Sequence, residues 1–291
     1  MQIIIDEEHN HARLDLFVVE TIPALSRAYA QKLCEQGKVL VNGKQVKAGH
    51  KLHEGNEVTI DYDATELDNI PLIDIPILYE DDDCVVMNKP AGVLTHSQGV
   101  FSNEATVASF LRSRTGTGSF ENETNGRTGV VHRLDRATSG VIIGAKSQAA
   151  LSWLQKQFSE RKVKKSYIAI VQGRPKQDEA IIDMPIERNP KAPATFRVGT
   201  NGKPSTTHYK ILQSNDHESL IELKPETGRT HQLRVHMAQI GHPIVGDPLY
   251  GSGSYGDRLF LHANSLEITL PNRERRTFTA PVPEEFQNRM Q

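Results

Sequence analysis

The chain has 291 residues, 37% hydrophobic and 24% charged, with a net charge of -2, a balance that suits a globular protein of one large domain or two unequal ones. No apolar run approaches the length of a membrane span, and Met1-Gln2-Ile3-Ile4-Ile5 runs straight into Asp6-Glu7-Glu8, so neither a signal peptide nor an anchor is expected. The two cysteines, Cys34 and Cys84, sit in unrelated contexts, which excludes a disulfide framework and a CxxC site and fits a reducing, cytoplasmic location.

In chain order, Leu14, Phe17 and Val18 have helical spacing, and Ser26 to Gln36 predicts a second helix that Gly37 ends. Val39-Leu40-Val41, the turn Asn42-Gly43 and Gln45-Val46 spell a hairpin, and Val58-Thr59-Ile60 closes the unit as a further strand. The run from Ala12-Arg13-Leu14-Asp15 through Val39-Leu40-Val41-Asn42-Gly43 to Gly55-Asn56-Glu57-Val58 resembles the S4 domain, a small RNA-binding module. Asp15 reads as a surface or early-turn acid of the first helix. Arg27, Lys32 and Lys44 would then lay a basic face on RNA, although ordinary surface cations on a small structural cap have the same pattern.

Residues 63-76, acidic and carrying Pro71 and Pro76, read as a linker between a domain at 1-62 and another at 77-291. In the second domain, strands are expected at Ile77-Leu78-Tyr79, Cys84 to Met87, Val130-Val131 and Val141 to Ile143. Later ones are expected at Ser166 to Gln172, Thr206 to Gln213, Ser219 to Leu223 and Ser265 to Leu270, with helices at Glu104 to Arg114 and Leu151 to Glu160. Without a strand-helix rhythm, the expected class is α+β: a mixed, mainly antiparallel sheet flanked by helices.

Charge is segregated along the chain. From Arg127 to Arg174 the only acids are Asp135 and Glu160, set among Arg133, Arg136, Lys164, Lys165 and other cations, whereas acids collect between Glu54 and Asp83. Such a stripe suits a phosphate backbone, and equally a solvated face. Asp135 lies in the loop His132-Arg133-Leu134-Asp135-Arg136-Ala137-Thr138-Ser139-Gly140 between two β-branched runs. A strand end can hold a reactive group rigidly, and an Asp in a loop can also simply cap a turn. The chain has no phosphate-loop, zinc-helix or nucleophile-elbow motif, and His231 and His236 are five apart without a companion acid, so neither a metal nor a nucleotide cofactor is expected.

Four blocks in order carry a second resemblance. Asn88-Lys89-Pro90 with Gly92, His132 to Asp135 with Thr138-Ser139-Gly140, and Lys165-Ser166-Tyr167-Ile168-Ala169 precede Thr227-Gly228-Arg229-Thr230-His231-Gln232-Leu233-Arg234-Val235-His236, which leads to Gly246-Asp247. They resemble the RluA-type pseudouridine synthases along essentially the whole chain, close to the RluD-like large-subunit ribosomal RNA enzymes. The resemblance implies that a uridine's N-glycosidic bond breaks, the uracil turns, and C5 joins C1' in place of N1. It implies Asp135 as nucleophile, Arg229 as the guanidinium that favours its charged form, and Tyr167 as a ring against the uracil or a proton carrier. Arg133, His132, Thr138, His231 and Leu233 are expected at the substrate. A base flipped out of folded RNA costs about a few kcal/mol, and Arg133 or the His132 side is placed to fill the gap.

A long polar hairpin or loop from Arg188 to Arg197 is expected to grip RNA from the opposite side, adding Arg188 and Arg197 to Arg136, Lys164 and Lys165 as RNA contacts. The expected substrate is large-subunit ribosomal RNA, with transfer RNA second, acted on by a monomer without cofactor. A noncatalytic RNA-binding or ribosome-assembly protein would also keep the fold, and an N-glycoside hydrolase would need a second acid, for which only Asp247 stands near the blocks.

Overall fold

The structure, a computed structural model, describes residues 1-22, 25, 27-62, 73-96, 104-115, 120, 128-253 and 257-291. Residues 63-72 of the expected linker lie outside the described residues. The chain divides into two compact units, Met1–Asp74 with His96–Gly129, and Ile75–Thr95 with Val130–Gln291. The stretch 96-129, which sequence alone assigns to the second domain, therefore groups with the first.

In the first unit β1 (Gln2–Ile4), α1 (Leu14–Thr21), α2 (Arg27–Glu35), β2 (Val39–Val41), β3 (Lys44–Gln45) and β4 (Glu57–Ile60) follow in order. The strands form an antiparallel sheet in the order β1-β4-β2-β3. Asn42 and Gly43 both have positive φ, 50° and 71°, as the tight turn between β2 and β3 requires. Leu14, Phe17, Val18, Leu33, Val39, Val58 and Ile60 are buried together between helices and sheet.

Asp15 stands in the first turn of α1, one of the two positions expected of it, but is not on the surface. Its side chain is 0% exposed, gripped by Arg13 at 2.9 and 3.0 Å, Arg27 at 3.0 Å and Gln31 at 2.9 Å. The face of α1 that carries it is the face packed toward α2, so the acid is enclosed and must be neutralised by donors. These donors, Arg13 foremost, hold its carboxyl well below the usual range despite burial. Arg27, expected on the RNA, pairs with Asp15 yet is itself exposed, as are Lys32 and Lys44.

The second unit is built on β5 (Ile77–Glu80), β6 (Cys84–Lys89), β7 (Ser139–Ala145), α4 (Gln148–Ser159) and β8 (Lys164–Gln172). It continues through β9 (Glu179–Asp183), β10 (Ile186–Arg188), β11 (Phe196–Val198), β12 (Thr206–Ser214) and β13 (Glu218–Pro225). It closes with α5 (Gln232–Gln239), β14 (Leu261–Thr269), β15 (Arg275–Thr279) and α6 (Glu284–Met290). Among the described residues nine strands make one sheet, ordered β5-β6-β7-β14-β8-β13-β12-β9, with β15 beside β14. Only β7 and β14 pair in parallel, so the sheet is mixed and mainly antiparallel, as expected.

The central strand β7 is buried along its whole length, which its unbroken Val-Ile-Ile run dictates. Gly140 at its start has φ 111°, and a Cβ there would lie 2.2 Å from the Ala263 carbonyl oxygen of β14. Only glycine allows that approach. Val130-Val131 differs from its expected strand, contributing a single bridge from Val130 to Gly144. β10 and β11 pair with each other as a hairpin outside the large sheet, where a hairpin or loop was expected. In the other unit, the helix expected from Glu104 is shorter, α3 at Val107–Arg112, because Thr106 and Ser109 form a capping box that fixes its start.

Candidate active site

Asp135 stands immediately before a tight turn closed by the Thr138 amide on its carbonyl oxygen, 3.0 Å, which delivers the chain into β7. The residues on either side are clamped. Leu134 is held by Thr95, whose hydroxyl donates to its carbonyl at 2.8 Å and accepts its amide at 3.1 Å. The Arg136 carbonyl accepts the Gly92 amide at 2.8 Å and the Lys89 ammonium at 3.2 Å. Lys89, fully buried, also donates to Pro90 and Val93 carbonyls at 2.9 and 2.8 Å, so each of its three protons has an acceptor. Burial pulls its pKa down to about 7, against the attraction of the Asp135 carboxylate. The Asn88-Lys89-Pro90-Gly92 block is thereby a splint for the Asp135 loop.

The carboxylate opens into a cleft of about 670 Å³, within the range of ligand sites, lined by the 132-138, 161-167 and 225-234 segments. Every residue expected at the substrate is there: His132, Arg133, Thr138, Tyr167, Arg229, His231 and Leu233. The guanidinium on Asp135, however, is not that of Arg229. Arg234 Nη1 lies 3.3 Å from Asp135 Oδ2, while Arg229 donates its Nε to the Pro204 carbonyl at 3.3 Å, from the turn before α5.

The reason is positional. Arg229 precedes the helix and is half-buried at the rim, whereas Arg234 lies inside α5, in the fully buried run Gln232 to Met237. A buried arginine needs counter-charge. Asp247 supplies it bidentately at 2.7 and 2.8 Å, and its own oxygen also takes the Leu249 and Tyr250 amides. Burial presses the Arg234 pKa down, but the hydrogen bonds and charges of Asp247, then Asp135, carry it above its ordinary value. Asp247, 0% exposed and saturated by donors, is thus the anchor of Arg234 and is not poised as a second reacting acid. An arginine among apolar residues of one helix, with a Gly-Asp turn downstream, was the signal in the sequence.

Tyr167 on β8 faces the cleft, and burial, then the Asp135 carboxylate, push its phenol far up, so its proton is retained at neutral pH. His132 stacks on Phe158 at 4.6 Å and accepts the Ile143 amide with Nε2 at 3.2 Å, and burial lowers its pKa to about 3. It is a neutral wall residue. Lys165, expected to contact RNA, turns into the cleft, where burial lowers its pKa to about 8 and its ammonium meets the Thr227 carbonyl at 3.4 Å. A strand alternates its faces, and Lys165 shares that of Tyr167. Lys164, on the other face, pairs with Glu267 at 3.5 Å, and Arg197 with Glu187 at 2.7 Å, so both expected RNA contacts carry an internal partner. Arg188 is exposed, its guanidinium 5.7 Å over the Phe196 ring, and Arg136 is exposed beside the Gly92 carbonyl.

The cleft therefore joins the Asp135 carboxylate to Arg133, Arg161, Lys165, Arg229 and Arg234, a net positive surround for a phosphate-bearing substrate, although exposed Glu226, paired with His208 at 2.6 Å, also lines it. Among the described residues no group of three or more His, Cys, Asp or Glu side chains is arranged to hold a metal ion, and no helix is long and apolar enough to cross a membrane.

Comparison with known proteins gives these features a family. The RNA pseudouridylate synthase profile matches residues 83-239, and the S4 domain profile matches residues 12-58. An uncharacterized RNA pseudouridine synthase of Aquifex aeolicus is 39% identical over 245 residues, covering 81% of this chain and 76% of that protein. The ribosomal large subunit pseudouridine synthase C of Vibrio parahaemolyticus is 35% identical over 289 residues, covering 93% and 89%. The structure of human RNA pseudouridylate synthase domain containing 1 superposes with a TM-score of 0.58 at 31% identity, over 72% of this chain and 85% of that one. With its S4 domain and the cleft around Asp135, this chain belongs to the RNA pseudouridylate synthase family.

Proposed function

We propose that Asp135 is the nucleophile of uridine isomerisation in large-subunit ribosomal RNA. Pseudouridine formation breaks the bond from C1' to N1, forms one from C1' to C5, moves the C5 proton to solvent and returns a proton to N1. The balance is redox-neutral. The observation that carries the reading is the Asp135 carboxylate in the cleft, clamped through Leu134 and Arg136 and met by Arg234 at 3.3 Å, whereas the other lining acid, Glu226, is paired with His208 at 2.6 Å. A rigidly held charge in a partly enclosed site needs little reorganisation when it attacks C6 of the ring or C1' of the sugar.

Arg234, pinned by Asp247, holds Asp135 with its remaining nitrogen; Tyr167, whose proton is retained, packs on the uracil and can hand that proton over. Arg133, Arg161 and Lys165 engage the flanking phosphates of a flipped nucleotide. The ribosomal target is supported by the S4 domain and by the large-subunit enzymes among the relatives. Mapping pseudouridine in cellular RNA tests the whole reading. A strain carrying Asp135→Asn should lose one or more large-subunit sites that the wild-type protein restores, and the loss of a transfer RNA site alone would move the target there.

A further inference from the structure

Tyr250, just beyond the Gly246-Asp247 turn, joins two parts of the second unit that the sequence keeps apart. Its hydroxyl accepts the Phe196 amide of β11 at 2.8 Å and lies 2.8 Å from His231 Nδ1. A phenol has one proton. Because the Phe196 amide already donates to the oxygen, we assign that proton to Nδ1, which leaves the proton of the neutral imidazole on Nε2. Nε2 is the nitrogen turned toward Asp135, 3.8 Å from Oδ2. Burial foremost holds the ring below its ordinary pKa, in keeping with the neutral form.

The backbone is bent to make this arrangement. His231 has φ 56° and ψ 18°, a left-handed conformation that a residue with a side chain seldom adopts and that tends to be kept at functional sites. It sets the imidazole at the entrance of α5, with the Phe196 ring edge-on at 5.6 Å and the Tyr250 ring at 5.6 Å. The hairpin of β10 and β11 stands apart from the large sheet, and exposed Arg188 and Lys191 are on it. The loop end of its ladder, where Phe196 pairs with Arg188, thus reaches the site through Tyr250.

We infer that Tyr250 and His231 are positioning residues that couple the hairpin's hold on RNA to the setting of Asp135. The inference rests on the reading of Asp135 as the reacting group. Phosphates drawn to Arg188 and Lys191 press the hairpin onto the cleft, and Tyr250 carries that shift to His231. A gap of 3.8 Å is about 1 Å longer than a hydrogen bond, so a small closure brings Nε2-H onto the carboxylate and fixes its direction of attack. His231 touches Asp135 only in that closed arrangement, which separates its role from that of Arg234, already in contact.

The full-length protein is assayed for tritium release from bulk [5-3H]uridine-labelled RNA of cells lacking the enzyme, read as the rate at saturation and the half-saturating RNA concentration. Tyr250→Phe, which removes one oxygen, should slow the saturated rate about 10-fold and move half-saturation less than about 2-fold, since a misplacement near 1 Å acts on the chemical step. His231→Asn suits the left-handed backbone and keeps an acceptor for Tyr250 but loses the atom aimed at Asp135, so it should slow the rate at least as much. Acting in series, the two changes together should be no slower than His231→Asn alone. A wild-type saturated rate in Tyr250→Phe, a change confined to half-saturation, or losses that multiply in the double variant overturns the inference, whatever the thermal midpoint does. Asp135→Asn in the same assay keeps the two claims apart: if it remains active, the reading of Asp135 fails, and if it is inactive while Tyr250→Phe is unimpaired, the relay alone fails.

Discussion

Arg-Leu-Asp occurs twice in this chain, at 13-15 and at 133-135, with opposite results. Asp15 is sealed in the first unit, and Arg13, Arg27 and Gln31 occupy its oxygens. Asp135 is 20% exposed at a cleft, with one guanidinium at 3.3 Å and an imidazole at 3.8 Å. A carboxylate whose lone pairs are all taken by donors is a structural element, since any reaction would first break those bonds. One that is rigid through its backbone and only partly engaged at its oxygens can react. The same three letters thus yield a staple or a proposed nucleophile according to how many donors surround them.

Apart from the loss of Asp135 itself, the largest effect should come from the residue that links a saturated acid to a partly engaged one. Arg234→Gln strips Asp247 of its bidentate partner and Asp135 of its guanidinium. Leaving Asp247 buried without its ion partner should cost about 3-5 kcal/mol of stability, and activity should fall on the order of 100-fold or more beyond what misfolding accounts for. Denaturant titration and tritium release measure the two losses. A variant as stable as wild type would break the account of Asp247 as an anchor.

Asp15→Asn should cost less, about 2-3 kcal/mol, because an amide keeps some hydrogen bonds while the arginines lose their counter-charge. The loss should appear in hydrogen exchange of the first unit, with the saturated reaction rate nearly unchanged. A fall in the saturated rate with stability intact would make the comparison of the two acids untenable.

Acid should weaken the second unit. His132 and His262 are held by burial at about 3 and about 4, below the 6.5 of an unfolded histidine, so below pH 6.5 the unfolded chain takes up protons that the folded one does not. Stability present above pH 6.5 is therefore lost toward pH 4, by about 1.4 kcal/mol per pH unit for each histidine. In the first unit His9 is shifted upward, chiefly by its hydrogen bond to Asp6, and works in the opposite sense. Exchange protection measured from pH 7 to 4.5 should fail first in the second unit, and a second unit no weaker at pH 5 than at pH 7 would contradict the neutral burial of these rings.

The smallest effect should be that of Arg229→Ala. Because Arg229 reaches Pro204 at the rim and not Asp135, the variant should raise the half-saturating RNA concentration a few-fold, roughly the effect of one phosphate contact, with little change in saturated rate. A loss as deep as that of Arg234→Gln would return Arg229 to the role expected from sequence.

Much of the fold was legible because its signals are local. Asn42-Gly43 dictates the turn it makes, and the Val-Ile-Ile run of β7 could only be buried. The loop of Asp135 and the cleft residues Tyr167 and His231 could be named because their motif blocks are contiguous in sequence. What sequence hid depends on contacts between distant segments. Whether Arg229 or Arg234 meets Asp135 is decided by where α5 starts, and that start is set by Gln232, whose amide ties Thr227, Arg229, Thr206 and Thr207 together. The burial of Asp15 needed the packing of α1 against α2, and the inward turn of Lys165 needed the phase of β8. Lys89 stood in the sequence only as one letter of the Asn88-Lys89-Pro90 block, and its three carbonyl partners come from Pro90, Val93 and the distant Arg136.

The central claim is that Asp135 forms a bond during the reaction and Asp15 does not. The direct measurement is single-turnover tritium release from saturating [5-3H]uridine-labelled RNA by wild type and by Asp135→Asn, an isosteric change at a partly exposed position. The account predicts a rate lower by about 1,000-fold or more, as for the loss of a nucleophile, with RNA binding and thermal midpoint close to wild type. A rate within about 10-fold of wild type, less than the loss expected for a covalent catalyst, would contradict it.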